Sequence, residues 1–333
     1  MMPRVQGIAT VLVVCALVAG TSRAAAQAPA DTAPACVHAC PVHRQSLDDA
    51  WWTGPMIAPS PGALPPGHFL IEPYFYDVRE GRANSYGTLT YILYGLIDGL
   101  TVGASPTAGF NIPGGGPSSS GIGLGDVSGI VHKRLTQFHP GSWFPATAFN
   151  VSETFPTGRY DRLGARTSDG FGSGVYTTTL SLYTQTYFWL PNGRILRMRV
   201  NVSQAFSSTA LVRGVSVYGT DAAFRGTAAP GAESEADVSW EYSLTRTWVL
   251  ALELNNRYRS RTRIRGTEIG ADSAGAGVPV RLDAQAADAF AIAPAVEYSW
   301  TPNIGVLLAL RVIPPGHNTS RSITPVVAIN IVR

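Results

Sequence analysis

Near the N-terminus, four residues capable of metal or redox chemistry lie close together in the sequence Cys36-Val-His38-Ala-Cys40-Pro-Val-His43. Thiolates and imidazoles are the usual ligands of zinc and copper, so a metal site is one hypothesis. The other hypothesis is a disulfide between Cys36 and Cys40, which forms readily in an oxidising compartment. The spacing is tighter than in usual zinc sites, and the segment shows no secondary-structure pattern that would hold four ligands. We therefore predict the disulfide first, keep the metal site as the alternative, and predict no cofactor.

Two further combinations of residues were considered for catalysis. Ser128 and His132 have the same parity on one predicted strand, as the nucleophile and base of a barrel hydrolase would need, but they are too far apart along it for direct contact. The glycine-rich stretch 121–125 lacks the G-x-G-x-x-G spacing of a phosphate loop, and no helix follows it. The sequence therefore predicts glycines at the rim or a kink of a sheet, no catalytic residue and no enzyme.

Charged side chains occupy alternate positions in the stretch Trp248–Arg261, whose sequence is WVLALELNNRYRSR. Leu250 and Leu252 fall on one side, and Glu253 and Arg257 fall on the other. Successive side chains of a strand point to opposite faces, so this is a ribbon with one apolar and one charged side. An arginine turned toward lipid at mid-depth would cost roughly 2–4 kcal/mol, so the charged sides should face a common lumen. The predicted lumen-facing polar residues are Arg197, Arg199, Glu233, Glu235, Asp237, Glu241, Glu253, Arg257, Arg259, Arg261, Glu297 and Arg311.

A tight turn at 245–247 predicts how two of these charged strands pair. It brings Glu235 opposite Arg257 and Glu233 opposite Arg259. Opposite charges across a ladder contribute roughly 0.2–1 kcal/mol each. The pairs would form either a polar screen near the outer mouth or plain lumen filling, and both interpretations stay open.

The strands that must position these residues follow from the same alternation. A tilted strand that crosses a bilayer needs about 9–11 residues, and no mature segment has the roughly 18 uninterrupted apolar residues of a membrane helix. We therefore predict an all-β fold, a single up-and-down antiparallel transmembrane β-barrel of about twelve strands, with ten or fourteen as alternatives. The predicted strands are 68–78, 87–96, 100–110, 123–135, 143–155, 174–189, 195–207, 233–244, 248–261, 287–300, 304–313 and 323–332.

The connections between these segments give a second indication of a barrel. Tight turns alternate with longer loops at 111–122, 156–173, 208–232 and 262–286, as they do in outer-membrane barrels. Tryptophans at the short-turn ends predict an interfacial aromatic girdle. An even strand count places both chain ends on the periplasmic side. The predicted girdle consists of Trp143, Trp189, Trp248 and Trp300.

Residues 1–26 have the features of a secretory signal peptide: a basic residue at Arg4, an apolar core at 8–20 and small residues at 24–26. Its removal takes away Arg4 and Arg23 and no acidic residue, so the formal charge falls from +3 to +1. That balance does not indicate a nucleic-acid partner. Residues 27–67 form an Ala/Pro-rich periplasmic N-terminal segment that could dock under the barrel or enter its lumen, and residues 68–333 form the barrel.

The central region resembles the family of outer-membrane transporters grouped with the meta-pathway of phenol degradation. The stretch 121–126, GIGLGD, and Phe155-Pro-Thr-Gly158 after the next strand carry the resemblance, which spans roughly 68–332. The resemblance implies an outer-membrane channel or uptake role, with aromatic or other hydrophobic compounds as a candidate class of solute. The residues of the family motif are Gly121, Gly123, Gly125, Asp126, Pro156, Thr157 and Gly158.

The predicted function is passive passage of small solutes across the outer membrane. Eight-stranded barrels are filled by side chains and sixteen to eighteen strands leave an open channel, so twelve strands predict a narrow pore, partly blocked by loops or by residues 27–67. The alternatives are a barrel hydrolase and a structural or adhesion barrel that uses loops 208–232 and 262–286. The expected partners are outer-membrane lipid and an unidentified small solute, and the sequence does not define an oligomeric state.

Overall fold

The computed structural model describes residues 42–268 and 277–333. The predicted signal peptide and the Cys36–Cys40 disulfide lie outside the described residues. The strands of the first half are β1 (Phe69–Glu80), β2 (Ala83–Ile97), β3 (Leu100–Ser105), β4 (Thr107–Ile112), β5 (Gly123–Leu124), β6 (Val127–Thr136), β7 (Ala146–Phe155), β8 (Thr177–Trp189) and β9 (Ile195–Ser207). Those of the second half are β10 (Ala210–Arg213), β11 (Phe224–Ala229), β12 (Glu233–Ser243), β13 (Trp248–Arg259), β14 (Thr262–Glu268), β15 (Val278–Ala284), β16 (Ala287–Thr301), β17 (Ile304–Ile313) and β18 (Ser322–Val332). Two short 3₁₀ helices span Leu47–Asp49 and Thr167–Asp169.

Twelve antiparallel strands form a closed barrel, as the sequence predicted. The first strand pairs with both β2 and β18, which closes the sheet on itself. Two of the twelve are interrupted: β3 and β4 are one strand broken at Pro106, which has no N–H to donate, and β5 and β6 are one strand broken at residues 125–126. Within the described residues, no helix is long and apolar enough to span a membrane.

Some predicted strand ends were wrong, and local backbone chemistry explains them. The strand expected from residue 143 begins at Ala146, after Pro145. The strand expected from residue 174 begins at Thr177, because Gly174 has a φ of 72° and leaves the β region. The strand expected to reach Arg261 ends at Arg259.

Two of the long connections contain strands that the sequence analysis missed. The strands β10, β11, β14 and β15 form a four-stranded sheet beyond β9, β12, β13 and β16. The strands of this sheet continue the barrel strands after a short interruption, and the pairing register is the same on both sides of it. Glu233 pairs with Arg259 in the barrel; four residues further along each chain, Ala229 pairs with Arg263 beyond it. The register of β9 with β12 likewise continues into β10 with β11, and that of β13 with β16 continues into β14 with β15. We call this sheet the wall extension.

The barrel has an apolar outer surface and a polar inner one. Along β13, Leu250 and Leu252 are 44% and 42% exposed, whereas Val249 and Glu253, which flank this pair, are fully buried. Exposed apolar side chains recur on the same side of the other barrel strands, for example Val202. A continuous exposed apolar belt of this kind fits contact with acyl chains.

Three of the four predicted girdle tryptophans are exposed. Trp143, Trp248 and Trp300 are 88%, 44% and 55% exposed, and the rings of Trp248 and Trp300 both pack against Tyr298. The fourth, Trp189, instead donates its indole N–H to the Gln45 carbonyl at 2.7 Å. Its ring therefore belongs to the contact with the N-terminal segment, which the strand pattern alone did not include.

Residues 45–67 enter the barrel lumen from the short-turn end and return to it. The backbone N–H of Gln45 donates to the Gly193 carbonyl at that end, and the N–H of Gly67 donates to the Gly95 carbonyl beside the β2–β3 turn. Between these points the chain crosses the lumen at mid-depth, where it contacts Glu253 and then His132. We call residues 45–64 the lumen segment.

Candidate functional site

The buried part of the lumen collects half of the predicted polar residues onto one wall. They come from β9, β12, β13 and β16, which are consecutive in the barrel. Each is at most 5% exposed, because the inward alternate positions of these four strands lie side by side and the lumen segment covers them. They are Arg197, Arg199, Asp237, Glu241, Glu253 and Glu297.

The remaining predicted residues lie nearer the long-loop end and are more open to solvent. The inward-parity residues Glu233, Glu235, Arg257, Arg259 and Arg311 belong to the barrel strands. The last of the predicted residues, Arg261, follows the end of β13, and its guanidinium lies 4.0 Å from the Asp283 carboxylate of the wall extension.

Glu241 is the centre of the buried charge network. Its carboxylate accepts two hydrogen bonds from Arg197, one of them from Nε at 2.6 Å, and lies 3.6 Å from Nε of Arg199. The guanidinium of Arg197 also stacks over the Trp52 ring at 4.2 Å. The fork of hydrogen bonds between guanidinium and carboxylate fixes the orientation of both groups, which a buried pair needs to offset desolvation.

Two other carboxylates of this wall hold the lumen segment by its backbone. Glu253 accepts the N–H groups of Ile57 and Ala58 at 2.8 and 2.7 Å. Glu297 accepts the N–H groups of Thr53 and Gly54 at 2.8 and 3.0 Å. The proline-rich segment forms no strand of its own, so its buried donors need partners from the wall. These hydrogen bonds fix the lumen segment in place, where it narrows the barrel lumen at mid-depth.

Amides and a guanidinium of the same wall satisfy the carbonyls of the segment. Arg199 donates to the Ala58 carbonyl at 2.5 Å, and Asn201 donates to the Pro59 carbonyl at 2.9 Å. The sequence analysis missed Asn201 as a contact. The alternation along β9 does place Asn201 on the inner side with Arg197 and Arg199, but nothing in the sequence located the segment that it binds.

The opposite wall carries aromatic and aliphatic side chains together with polar ones, among them Glu72 and Asn150, and it leaves space beside the lumen segment. A cavity of about 600 Å³ lies there. Tyr74 packs edge-on against Tyr91 with their ring centroids 6.0 Å apart. Strand alternation in β1, β2 and β8 could have identified these inward tyrosines. The apolar lining includes Leu70, Tyr74, Leu89, Tyr91, Leu93, Ile130 and Tyr183.

The two residues considered for hydrolase chemistry each have other partners on this wall. The hydroxyl of Ser128 bonds that of Thr154 at 2.7 Å. The imidazole of His132 lies 3.3 Å from the Pro61 carbonyl and stacks on Tyr183. His132 therefore contacts the lumen segment rather than a nucleophile.

The predicted family motif forms a hydrogen-bonded knot at the long-loop rim. Asp126 accepts the N–H groups of Gly158 and Ser173 at 2.9 and 2.8 Å and the Ser173 hydroxyl at 2.6 Å. Thr157 donates to the Gly125 carbonyl at 2.9 Å. A Cβ on Gly158 would lie 2.7 Å from Cα of Gly172, so the two chain segments can approach this closely only with glycine. The knot ties loop 156–176 to the barrel.

Two further motif residues lie in β5 or before it. Gly123 faces the ring of Phe171, which would collide with a Cβ at 2.0 Å. Gly121, before β5, has open space around it. The remaining motif residue, Pro156, follows directly after β7. The motif therefore seats loop 156–176 in the barrel mouth, which is a geometric role.

Asp126→Ala is expected to loosen loop 156–176 while leaving the barrel intact. The change leaves three donors without their acceptor, at about 1–3 kcal/mol for each buried group. Limited proteolysis should cut the variant within 156–176 much faster than the wild type. Asp98→Ala, which removes an aspartate at a short turn, is the matched control. Equal cleavage rates for the two variants would contradict the role given to Asp126.

The predicted cross-strand register of β12 and β13 is confirmed, with Glu235 opposite Arg257 and Glu233 opposite Arg259. The side-chain contacts differ from the backbone pairing, because Arg257 contacts both Glu233 at 3.3 Å and Glu235 at 3.4 Å. One guanidinium therefore neutralises two carboxylates near the mouth.

Exchanging the charges of Glu235 and Arg257 together is expected to preserve folding better than either single reversal. The double change Glu235→Arg with Arg257→Glu restores opposite charges across the ladder, whereas each single change places like charges opposite each other, at roughly 0.2–1 kcal/mol. Denaturant midpoints of the three variants measure this. A double variant no more stable than the weaker single variant would rule out the pairing.

Comparison with known proteins places this geometry among outer-membrane barrels. No family model matches the sequence, and no curated protein matches it. An outer membrane channel from Pseudomonas putida F1 is similar in structure, with a TM-score of 0.59 and 14% identity over 84% of this chain and 100% of that one. The NanC porin gives a TM-score of 0.41 at 11% identity over 78% and 98%, and the Pseudomonas putida toluene transporter TodX gives 0.39 at 12% over 86% and 94%.

These comparisons define a fold. The chain has a twelve-stranded antiparallel β-barrel of the kind found in an outer membrane channel, with an apolar outer belt and a charged lumen. At 14% identity the likeness extends to the fold alone.

Proposed function

We propose that this protein is an outer-membrane channel through which small solutes pass passively. The observation that carries the proposal is the cavity of about 600 Å³ that remains beside the lumen segment inside a closed barrel. A lumen filled completely by side chains would be a structural plug, whereas a cavity beside the lumen segment leaves room for a solute of restricted width.

The proposed orientation has the short-turn end and the N-terminus in the periplasm. The short connections at 98–99, 190–194, 244–247 and 302–303 share one end with the start of the lumen segment. Outer-membrane barrels have short periplasmic turns and longer extracellular loops. In this proposal the signal peptide 1–26 directs export and is removed, residues 27–67 are the periplasmic N-terminal segment, and its residues 45–67 enter the barrel from the periplasmic side.

The proposed solutes are aromatic or other hydrophobic compounds, as the resemblance to the phenol meta-pathway family implies. The lumen segment is hydrogen-bonded to the charged wall, so the free space borders the wall that carries Tyr74, Tyr91 and Tyr183. Aromatic rings that line a narrow path favour flat apolar solutes by stacking and by burial of apolar area. No enzymatic step is part of this proposal.

Flux through reconstituted protein tests the proposal. Planar bilayers should show discrete conductance steps, and proteoliposomes should take up phenol-sized aromatic solutes faster than sugars of similar mass. Vesicles with heat-denatured protein are the control. Bilayers without conductance steps, together with solute uptake equal to the control, would refute the channel. Release of fatty acid from the same vesicles would support a hydrolase instead.

A further inference from the structure

The buried lumen holds more carboxylates than guanidinium groups. In the described part of the chain, the charged wall contributes two arginines and four carboxylates, each at most 5% exposed. The opposite wall adds a fifth carboxylate, Glu72 of β1, which lines the cavity of about 600 Å³. An ionised carboxylate away from water is costly unless it is paired and hydrogen-bonded, so each of the five needs a partner.

Three of the five carboxylates receive their partners from the protein. Glu241 accepts hydrogen bonds from Arg197, and Glu253 and Glu297 accept backbone N–H groups of the lumen segment. One oxygen of Glu297, Oε1, has no hydrogen-bond partner, but the other accepts three donors. These three carboxylates therefore serve the fold and the lumen segment.

Asp237 differs from these three. It is 4% exposed, and neither of its carboxylate oxygens has a hydrogen-bond partner among the described residues. It lines a second cavity, of about 170 Å³, together with Glu235. Buried polar groups in native proteins are almost always hydrogen-bonded. A buried carboxylate without a partner at the edge of a cavity indicates a site that a ligand with donor groups completes.

Glu72 has only neutral neighbours. The Asn330 amide donates to it at 3.1 Å, and Tyr91 lies directly opposite it across the β1–β2 ladder. The next inward residue of β1 is Tyr74, whose ring is edge-on to that of Tyr91. Across residues 42–268 and 277–333, no basic side chain comes within 4.0 Å of the Glu72 carboxylate. A carboxylate beside aromatic rings, without a cation of its own, favours an organic cation as ligand.

The two cavities adjoin at Tyr183. This residue lines both of them, as Asn150 and Ser152 do. Asp237 lies in the half of β12 nearer the long-loop end, and Glu72 lies in the half of β1 nearer the short-turn end. A solute that enters from the long-loop end therefore meets the two carboxylates in turn, with tyrosine rings between them.

The guanidinium that lines the larger cavity is already engaged. Arg199 donates to the Gln185 side chain at 2.9 Å and to the Ala58 carbonyl at 2.5 Å, and the Glu241 carboxylate lies 3.6 Å from it. An anionic solute would have to displace these partners. The charge that remains without a partner in the two cavities is negative, so a cationic solute is favoured over an anionic one.

We propose that the two cavities bind organic ammonium ions that carry an apolar body, with Glu72 and Asp237 as the counter-charges. The inference rests on the proposed channel function and names its substrate class. An ammonium group donates charge-assisted hydrogen bonds to a carboxylate and is attracted to the faces of aromatic rings. The apolar body then packs against Tyr74, Tyr91 and Tyr183 in the larger cavity.

Calorimetry with benzylamine, neutral benzyl alcohol and benzoate tests the proposal on the detergent-solubilised protein at neutral pH. The wild type should bind benzylamine most tightly of the three. Glu72→Gln should lose about tenfold or more in benzylamine affinity, the range of hydrogen bonds to charged groups, and should keep its benzyl alcohol affinity within about twofold. Asp237→Asn should also weaken benzylamine binding without affecting benzyl alcohol.

A matched control separates the site from the overall charge. Glu80→Gln makes the same change of charge at the end of the same strand, outside the residues that line the two cavities, and should bind all three compounds as the wild type does. Equal wild-type affinities for benzylamine and benzyl alcohol, or equal losses in Glu72→Gln and Glu80→Gln, would overturn the proposal. Unchanged benzylamine binding in Asp237→Asn would refute the second counter-charge.

Thermal melting separates a ligand site from a structural role of Glu72. Because its carboxylate has no cationic partner in the protein, Glu72→Gln should melt at a temperature no lower than the wild type. A variant that melts at a lower temperature and loses benzyl alcohol and benzylamine binding equally would overturn the proposal, because Glu72 would then hold the barrel wall.

Uptake into proteoliposomes distinguishes this proposal from the channel itself. Benzylamine binding that depends on Glu72 without any flux would leave the ammonium site in place and refute the channel. Flux above the denatured control that is equal for benzylamine and benzyl alcohol, and unchanged in Glu72→Gln, would support the channel and refute the ammonium site.

Discussion

Deletion of residues 45–64 is expected to raise the single-channel conductance on the order of threefold or more. Twelve strands fall between the eight that side chains fill and the sixteen that leave an aqueous pore, so the lumen segment decides how much of the lumen is open. It crosses the lumen at mid-depth, with His132 on one wall and Glu253 on the other. The measurement is conductance in planar bilayers at fixed salt and voltage.

A second variant keeps this prediction testable should the deletion fold poorly. Glu253→Gln with Glu297→Gln leaves the chain complete but weakens the four backbone hydrogen bonds that anchor residues 53–58. It should show frequent transitions to a higher conductance. Glu233→Gln, which changes a carboxylate on the same inner side away from the segment, should resemble the wild type. Conductance unchanged in both the deletion and the anchor variant would mean that solutes do not pass the segment.

Glu241→Gln is expected to destabilise the barrel by about 3–5 kcal/mol, because it leaves the buried guanidinium groups of Arg197 and Arg199 without their shared counter-charge. Glu241 itself is fully buried, so water cannot replace the lost partner. Urea unfolding in detergent, with the slope of the transition compared between proteins, measures the difference.

The matched control for Glu241 lies on the same strand and faces the same lumen. The side chain of Glu235 is 23% exposed, so Glu235→Gln should cost at most about 1 kcal/mol. Two variants of equal stability would show that the network around Glu241 is hydrated in solution, and the buried network described above would then be wrong.

Strand identity and the inner face were predictable because both depend on local alternation. A bilayer requires apolar side chains on every second residue, so Leu250 and Glu253 could be assigned to opposite faces from the sequence of one strand. The hairpin register followed in the same way, since a short turn fixes which residues lie opposite each other, as for Glu235 and Arg257. Errors appeared where a single residue changes the backbone, as at Pro145 and Gly174.

The family motif was predictable as a motif but not as a structure. The sequence singled out Asp126 and Gly158 as residues of the family motif. It did not show that Ser173, from the far end of the same loop, completes the knot. Turns and rims are held by contacts between distant residues, which one-dimensional spacing does not encode.

The sequence by itself determined that this chain forms an antiparallel barrel with an apolar outer side, and roughly where its twelve barrel strands lie, because alternate polarity is a property of neighbouring residues. Only the tertiary structure decided what occupies the lumen and what extends above it. The lumen segment has no periodicity, and its partners Glu253 and Glu297 are 195 and 244 residues away, as the Ala58 and Thr53 contacts show. The wall extension depends on four strands that meet only in the folded barrel, since β11 and β14 are neighbours that belong to different hairpins.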